Sequence, residues 1–293
     1  MRNQSIVTYC GVKWLLLFVF YLQFLTAELV KTNWSFFYDG NVPQYVMIIC
    51  IQIFAVALPC TVFMFINSAG PSEVFKRKKL TLAAGLTCVA AGISAQPVAS
   101  LINVPVLMFL DSRGLMSAAV IDAPDSVKSL LIGILVVALL PAIFEEVLMR
   151  GIVLYSMERD GYRFTMFVSA FLFALLHNSL SNFAGVFFLG VVLCYIVWTT
   201  QSLLAGIITH FSFNATAMLL SFTAPGNMLY IAIAAVSVVI FIAATSLLSR
   251  GTARRYMTRS FFKKLCCTVF SFPILLIILG FIMFRMAQWM GVL

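Results

Sequence analysis

Charge is what this chain has least of. Only 10% of its 293 residues are charged, where a soluble domain carries about 25%. A chain this poor in charge cannot cover a water-facing surface, and its polar stretches are only short loops, so a separate soluble domain is excluded. Histidine is scarcer still, with two copies. No CxxC pair and no HExxH, the common zinc-protease signature, occurs. The seven cysteines (Cys10, Cys50, Cys60, Cys88, Cys194, Cys266 and Cys267) are odd in number and sit mostly in apolar runs. That placement suits small buried hydrophobes better than a disulfide framework. Asn33-Trp34-Ser35 fits a glycosylation sequon, but three residues carry little. No internal repeat is visible.

What is there in quantity is oil. Hydrophobic residues make up 62% and the mean hydropathy is +1.06. A helix needs about 20 apolar residues to cross the hydrocarbon of a bilayer, and nine candidate spans follow: 14–29, 45–66, 80–110, 129–149, 164–178, 182–200, 202–223, 227–249 and 266–283. The fold class is therefore all-α, a polytopic membrane helix bundle of about 8–9 transmembrane helices. The first span reads as retained, because no clean small-x-small cleavage site follows it. The third contains Pro97 and Pro105 and is expected to kink or to end in a re-entrant piece. With a cytoplasmic N-terminus, 15 of the 19 basic residues fall on cytoplasmic segments and 4 on the other side, which fixes that orientation. The net charge of +9 is thus read as topology, and no nucleic-acid partner is expected.

Eight of the ten acidic residues lie in loops or at span ends. Glu145 and Glu146, in PAIFEEVLMRG, do not. A carboxylate at that depth costs about 2–3 kcal/mol on insertion scales and marks a functional site by default. Both histidines, His177 and His210, also fall in apolar spans, and the four residues lie within one 66-residue stretch. Glu146 and Arg150 are i,i+4 and share a helix face, while Glu145 is turned about 100° away. His210 and Asn214 are likewise i,i+4, and Phe173 sits one turn before His177. These residues are expected to meet in a polar pocket between the fourth, fifth and seventh spans.

That set suits hydrolysis of an amide. Desolvation makes a carboxylate a stronger base; with His177 it can hold and deprotonate a water. His210 and Asn214 can donate to the oxyanion that forms when the water attacks a carbonyl. Arg150 would keep Glu146 charged. Depth supplies a condition. Glu145 and His177 meet only if the fourth helix runs on to about Met157 or tilts, with Arg150 buried.

At these residues the chain resembles the CPBP (CAAX protease and bacteriocin-processing, or Abi) family of intramembrane endopeptidases, related to the type II CAAX prenyl endopeptidases. The family pattern EExxxR, FxxxH, HxxxN is present in order as Glu145-Glu146-Val147-Leu148-Met149-Arg150, Phe173-Ala174-Leu175-Leu176-His177 and His210-Phe211-Ser212-Phe213-Asn214. The resemblance implies Glu145 and His177 as activators of the water, Glu146 and Arg150 as support, and His210 and Asn214 as the oxyanion hole. It also implies a glutamate-based mechanism with no cofactor, although one Glu and two His can in principle ligate zinc. The expected organisation is N-terminal helices over 1–124, a catalytic core over 125–225 and C-terminal helices over 226–293.

The expected activity is that of an intramembrane endopeptidase acting on a membrane-associated or leader-type peptide that enters a cytoplasm-facing cavity. Its other partner is the lipid bilayer. The compact loops suit a bacterial plasma membrane, where bacteriocin processing or immunity are candidate roles. Two rival classes are a non-catalytic immunity or scaffold protein retaining the fold, and a transporter with a Glu/His proton relay. The Lys76–Lys79 run and the 250–264 segment are read as topology anchors before lipid-headgroup sites. Gly151, Gly185, Gly190 and Gly206 are read as places of close helix packing, and the 28 phenylalanines as mainly lipid-facing.

Overall fold

The computed structural model describes residues 7–32, 42–115, 122–249, 265 and 268–289; the 33–35 sequon, the 250–264 basic segment, Cys266 and Cys267 lie outside them. The nine predicted spans correspond to α1 (Tyr9–Thr32), α2 (Gln44–Ile66), α3 (Leu82–Ser112), α4 (Val127–Asp160), α5 (Tyr162–Leu176), α6 (Phe183–Thr200), α7 (Leu203–Thr223), α8 (Asn227–Ser249) and α9 (Phe272–Met286). Among the described residues no strand is present beyond one isolated bridge, Arg77 with Ser202. Seven of these helices are long and apolar enough to cross a membrane; α5 and α9 are shorter apolar helices. At 1.5 Å per residue, the 15 residues of α5 span about 22 Å, short of a hydrocarbon core of about 30 Å.

Two sets of contacts define the ends of the bundle. At one end, Lys76 pairs with Glu158 (2.8 Å) and lies over the Trp198 ring. The chain beside it is clipped to the α6–α7 turn by Leu203 N–H to Lys76 C=O (2.8 Å) and Lys78 N–H to Gln201 C=O (3.0 Å). Val7 and Val12 of the N-terminal region share an apolar cluster with Val74, Met157 and Phe164. At the other end, Asp122 N–H donates to Gln44 (2.9 Å) and Tyr45 donates to the Ser129 carbonyl (2.8 Å). The alternation that the basic residues require is therefore present in the packing. Lys76 is half-buried and paired, which favours an anchor over a headgroup site, while Arg77, Lys78 and Lys79 are exposed. Arg150 and Arg285 are buried within helices, so they leave the topology tally, and the bias stands at 14 to 3.

Two of the three π-helical stretches among the described residues lie just ahead of a proline; the third, Val147–Val153 of α4, has none. Pro97 and Pro105 do not end α3, which runs unbroken through both. Packing holds it: Asn103 of α3 accepts from Gly185 N–H of α6 (2.8 Å), and a Cβ at Gly92 would fall 2.3 Å from the Thr209 carbonyl oxygen of α7. In α2 and α4 the ladder widens instead into π-helical turns, at Ile51–Ala57 ahead of Pro59, and at Ile134–Leu139 ahead of Pro141. A proline brings no N–H to the carbonyl four residues earlier, and π turns accommodate the gap. The start of α4 is capped by Ser126, which accepts from Ser129 N–H. Hydrogen bonds from Ser129 and then Ser126 hold the exposed Asp125 carboxyl below its usual range.

Candidate active site

The depth condition is met by one long helix. α4 continues through Arg150 and Met157 to Asp160, where Gly161, at φ +100°, reverses the chain. That backbone conformation is open to glycine and strained for other residues. Thr165 Oγ1 then donates to the Met157 carbonyl (2.8 Å), closing the α4–α5 hairpin. Glu145 lies 15 residues before Asp160 and His177 lies 15 residues after Tyr162. Each is thus about 22 Å from the turn, and the hairpin sets them level.

Two carboxylate–histidine pairs result, one on each side of α4. In the first, Glu145 Oε2 faces His177 Nε2 at 3.8 Å. His177 Nδ1 lies 2.8 Å from the Phe173 carbonyl. A carbonyl only accepts, so Nδ1 carries the proton, and in the neutral ring Nε2 presents a lone pair to the carboxylate. Oε2 has no hydrogen-bond partner. Glu145 Oε1 is held by Gln52 Nε2 of α2 at 2.8 Å. In the second pair, Glu146 Oε1 accepts from Arg150 (2.7 Å) and meets His210 Nδ1 at 3.1 Å. Glu146 and Arg150 are both 0% exposed. Arg150 also donates to the Gly190 carbonyl of α6 (3.1 Å), and its guanidinium lies 4.5 Å over the Phe173 ring.

Phe173 stands between the two pairs. Its ring packs edge-on against His177 at 4.5 Å and against His210 at 5.8 Å. The polar side chains of α4, α5 and α7 do meet, and α2 and α6 contribute Gln52 and the Gly190 carbonyl. The close helix approaches are also present: a Cβ at Gly206 would lie 2.6 Å from Val197 and 2.7 Å from Glu146 Oε2, and one at Gly190 would lie 2.8 Å from Ala170 Cα.

His210 and Asn214 meet partners other than the Glu145–His177 pair. With Nδ1 spent on Glu146, His210 donates from Nε2 only as the doubly protonated ring. Asn214 Nδ2 lies 3.4 Å from the Val137 carbonyl. That carbonyl is four residues before Pro141 and lacks its helical donor, so the long bond completes the ladder from outside. Gln52 and the Gly190 and Val137 carbonyls were not among the sequence candidates. Only Gln52 left a signal, a lone amide inside the apolar run 45–66.

Exposure is uneven around the Glu145–His177 pair. Toward the basic end, Leu148 through Leu154 are sealed. The exposed flank is the α5–α6 turn, where His177 keeps 31% of its side chain exposed against 14% for Glu145. No three His, Cys, Asp or Glu side chains converge among the described residues, where a zinc site takes at least three protein ligands.

Residues 127–216 match the family model described as Type II CAAX prenyl endopeptidase Rce1-like. The resemblance carried by the three motifs is thereby shown, and the match supports a CAAX-type intramembrane protease kind of function. Neither the comparison with curated proteins nor that with solved structures returned a match.

Proposed function

We propose that this protein is an intramembrane endopeptidase that hydrolyses a peptide bond with water activated between Glu145 and His177, without a metal. The observation that carries this reading is the pair of opposed acceptors, Glu145 Oε2 and His177 Nε2, 3.8 Å apart. Two acceptors at that spacing suit a molecule with two O–H donors, and one water reaches both at ordinary hydrogen-bond lengths of about 2.8 Å. Glu145 takes one proton as the water oxygen attacks the scissile carbonyl carbon. The resulting oxyanion is met by Asn214 Nδ2 and by Nε2 of the protonated His210. Glu145 then returns the proton to the departing amine, leaving a carboxylate and an amine as products. Glu146, Arg150 and Phe173 hold the helices that carry these groups.

The substrate is a membrane-associated or leader-type peptide that reaches the site past the α5–α6 turn, where the pair is exposed. The membrane is a bacterial plasma membrane in this reading. A fluorogenic peptide library offered to the purified protein in detergent tests it, with Glu145→Gln and His177→Ala alongside, each with and without a chelator. Cleavage that both substitutions abolish and the chelator spares is the expected result. Sensitivity to the chelator overturns the metal-free mechanism. No cleavage by folded wild-type protein favours the non-catalytic scaffold.

A further inference from the structure

We propose that Gln52 is a positioning residue for Glu145, fixing which carboxylate oxygen faces His177; this rests on the function proposed above. Gln52 lies on α2, outside the matched residues 127–216, in an otherwise apolar stretch, and is 4% exposed. Its amide orientation is set by chemistry. The carboxylate accepts and does not donate, so the NH2 group faces Glu145 Oε1, at 2.8 Å. The other end of the amide, Oε1, is then buried with no partner. An unpaired buried acceptor is costly, and a leucine or methionine would fill the same space without that cost. The amide earns its place through the bond it donates.

The local fold aims it. Pro59 leaves the Ala55 carbonyl without its helical donor, and the π-helical turn Ile51–Ala57 takes up the irregularity. Within that turn Gln52, Ala55 and Val56 are the buried residues, on the face that packs toward α1 and α4. Among the described residues Glu145 has no other hydrogen bond to hold it: its second neighbour, His177, is 3.8 Å away. Removing the Gln52 donor frees the carboxylate to rotate about its last bond. Rotation moves the base off the water it shares with His177, and displacement of about 1 Å at a reacting group costs about 10²-fold in rate.

Two variants separate positioning from filling. Gln52→Leu keeps bulk and removes the donor. Gln52→Glu keeps shape and donates only when the new carboxyl pair with Glu145 holds a proton. The titratable group facing that pair is His177 on α5; Glu146, next to Glu145 in the chain, is itself paired with Arg150 on α4 and His210 on α7. The expected result is a fall of about 10²-fold in kcat for Gln52→Leu with little change in KM. Gln52→Glu is expected to recover activity relative to Gln52→Leu as the pH is lowered. A second readout needs no substrate. The chain has two histidines, so ring-labelled protein gives two sets of histidine NMR signals, assigned with His177→Ala. Gln52→Leu and Glu145→Gln are both expected to move the His177 signals and leave those of His210.

Wild-type kcat in Gln52→Leu with unmoved His177 signals overturns the proposal. If wild type cleaves no peptide, the functional reading fails, and the ring signals still decide the placement of Gln52. If the leucine variant does not fold, the pH dependence and ring signals of Gln52→Glu carry the test.

Discussion

Arg150→Met offers the sharpest test of how the core is held. Arg150 bonds Glu146 at 2.7 Å and the Gly190 carbonyl at 3.1 Å, and stacks over Phe173 at 4.5 Å, all without exposure. Methionine keeps most of the apolar volume and removes the charge. Glu146 is then a buried carboxylate with His210 as its one remaining partner at 3.1 Å. Breaking a buried pair from one side costs about 3–5 kcal/mol. Exchanging both members for apolar residues is often neutral, so Arg150→Met with Glu146→Leu is expected to be no worse than the single variant, and to recover most of the loss if His210 tolerates an apolar neighbour. Unfolding in mixed detergent, followed by tryptophan fluorescence, measures the cycle. A cost below about 1 kcal/mol for Arg150→Met would mean that Arg150 does not hold α4 to α6 through Gly190, and the account of Arg150 as a buried keystone fails.

Glu145→Gln is expected to lower kcat by about 10²–10⁴-fold, the range of general base catalysis, in protein that folds as wild type; an active variant removes Glu145 as the base. Asn214→Ala is expected to cost about 10²–10³-fold in kcat if its amide meets the oxyanion, and an unchanged kcat assigns Asn214 to the Val137 carbonyl alone. Gly206→Ala forces a methyl to within 2.6 Å of Val197 and 2.7 Å of Glu146, and is expected to destabilise by about 1–3 kcal/mol. Gly85→Ala, with nothing within 4 Å of its new methyl, is the control, expected to be stabilising by about 0.5–1 kcal/mol through helix propensity.

The candidate residues were legible because buried charge is rare enough in this chain to be conspicuous. Glu145, Glu146, Arg150, His177 and His210 stand out against the surrounding oil, and i,i+4 spacing paired Glu146 with Arg150 before any coordinates were needed. The run of α4 past Arg150 to about Met157 was legible too, since level placement of Glu145 and His177 demands it or a tilt, and the helix reaches Asp160. Gln52 was harder. Its partner is 93 residues away, and an uncharged amide in a span draws less notice than a carboxylate. Two of the π-helical stretches left only their prolines as a trace and the third, Val147–Val153, left none, because hydropathy has no term for an offset hydrogen-bond ladder. The exposure of His177 beside the α5–α6 turn was not legible, because it depends on where α5 stops relative to α4, a packing length that composition does not encode.

The Glu146–Arg150 bond also bears on how the chain is made. A ribosome adding about 5–20 residues per second delivers Arg150 within about a second of Glu146. His210, 64 residues on, follows roughly 3 to 13 s later. A carboxylate that had to wait for His210 would enter the bilayer as a bare charge. With its counter-ion four residues away in the same helix, α4 is neutralised at that position as soon as it coils, and the later arrival of α7 completes a bond instead of rescuing an ion.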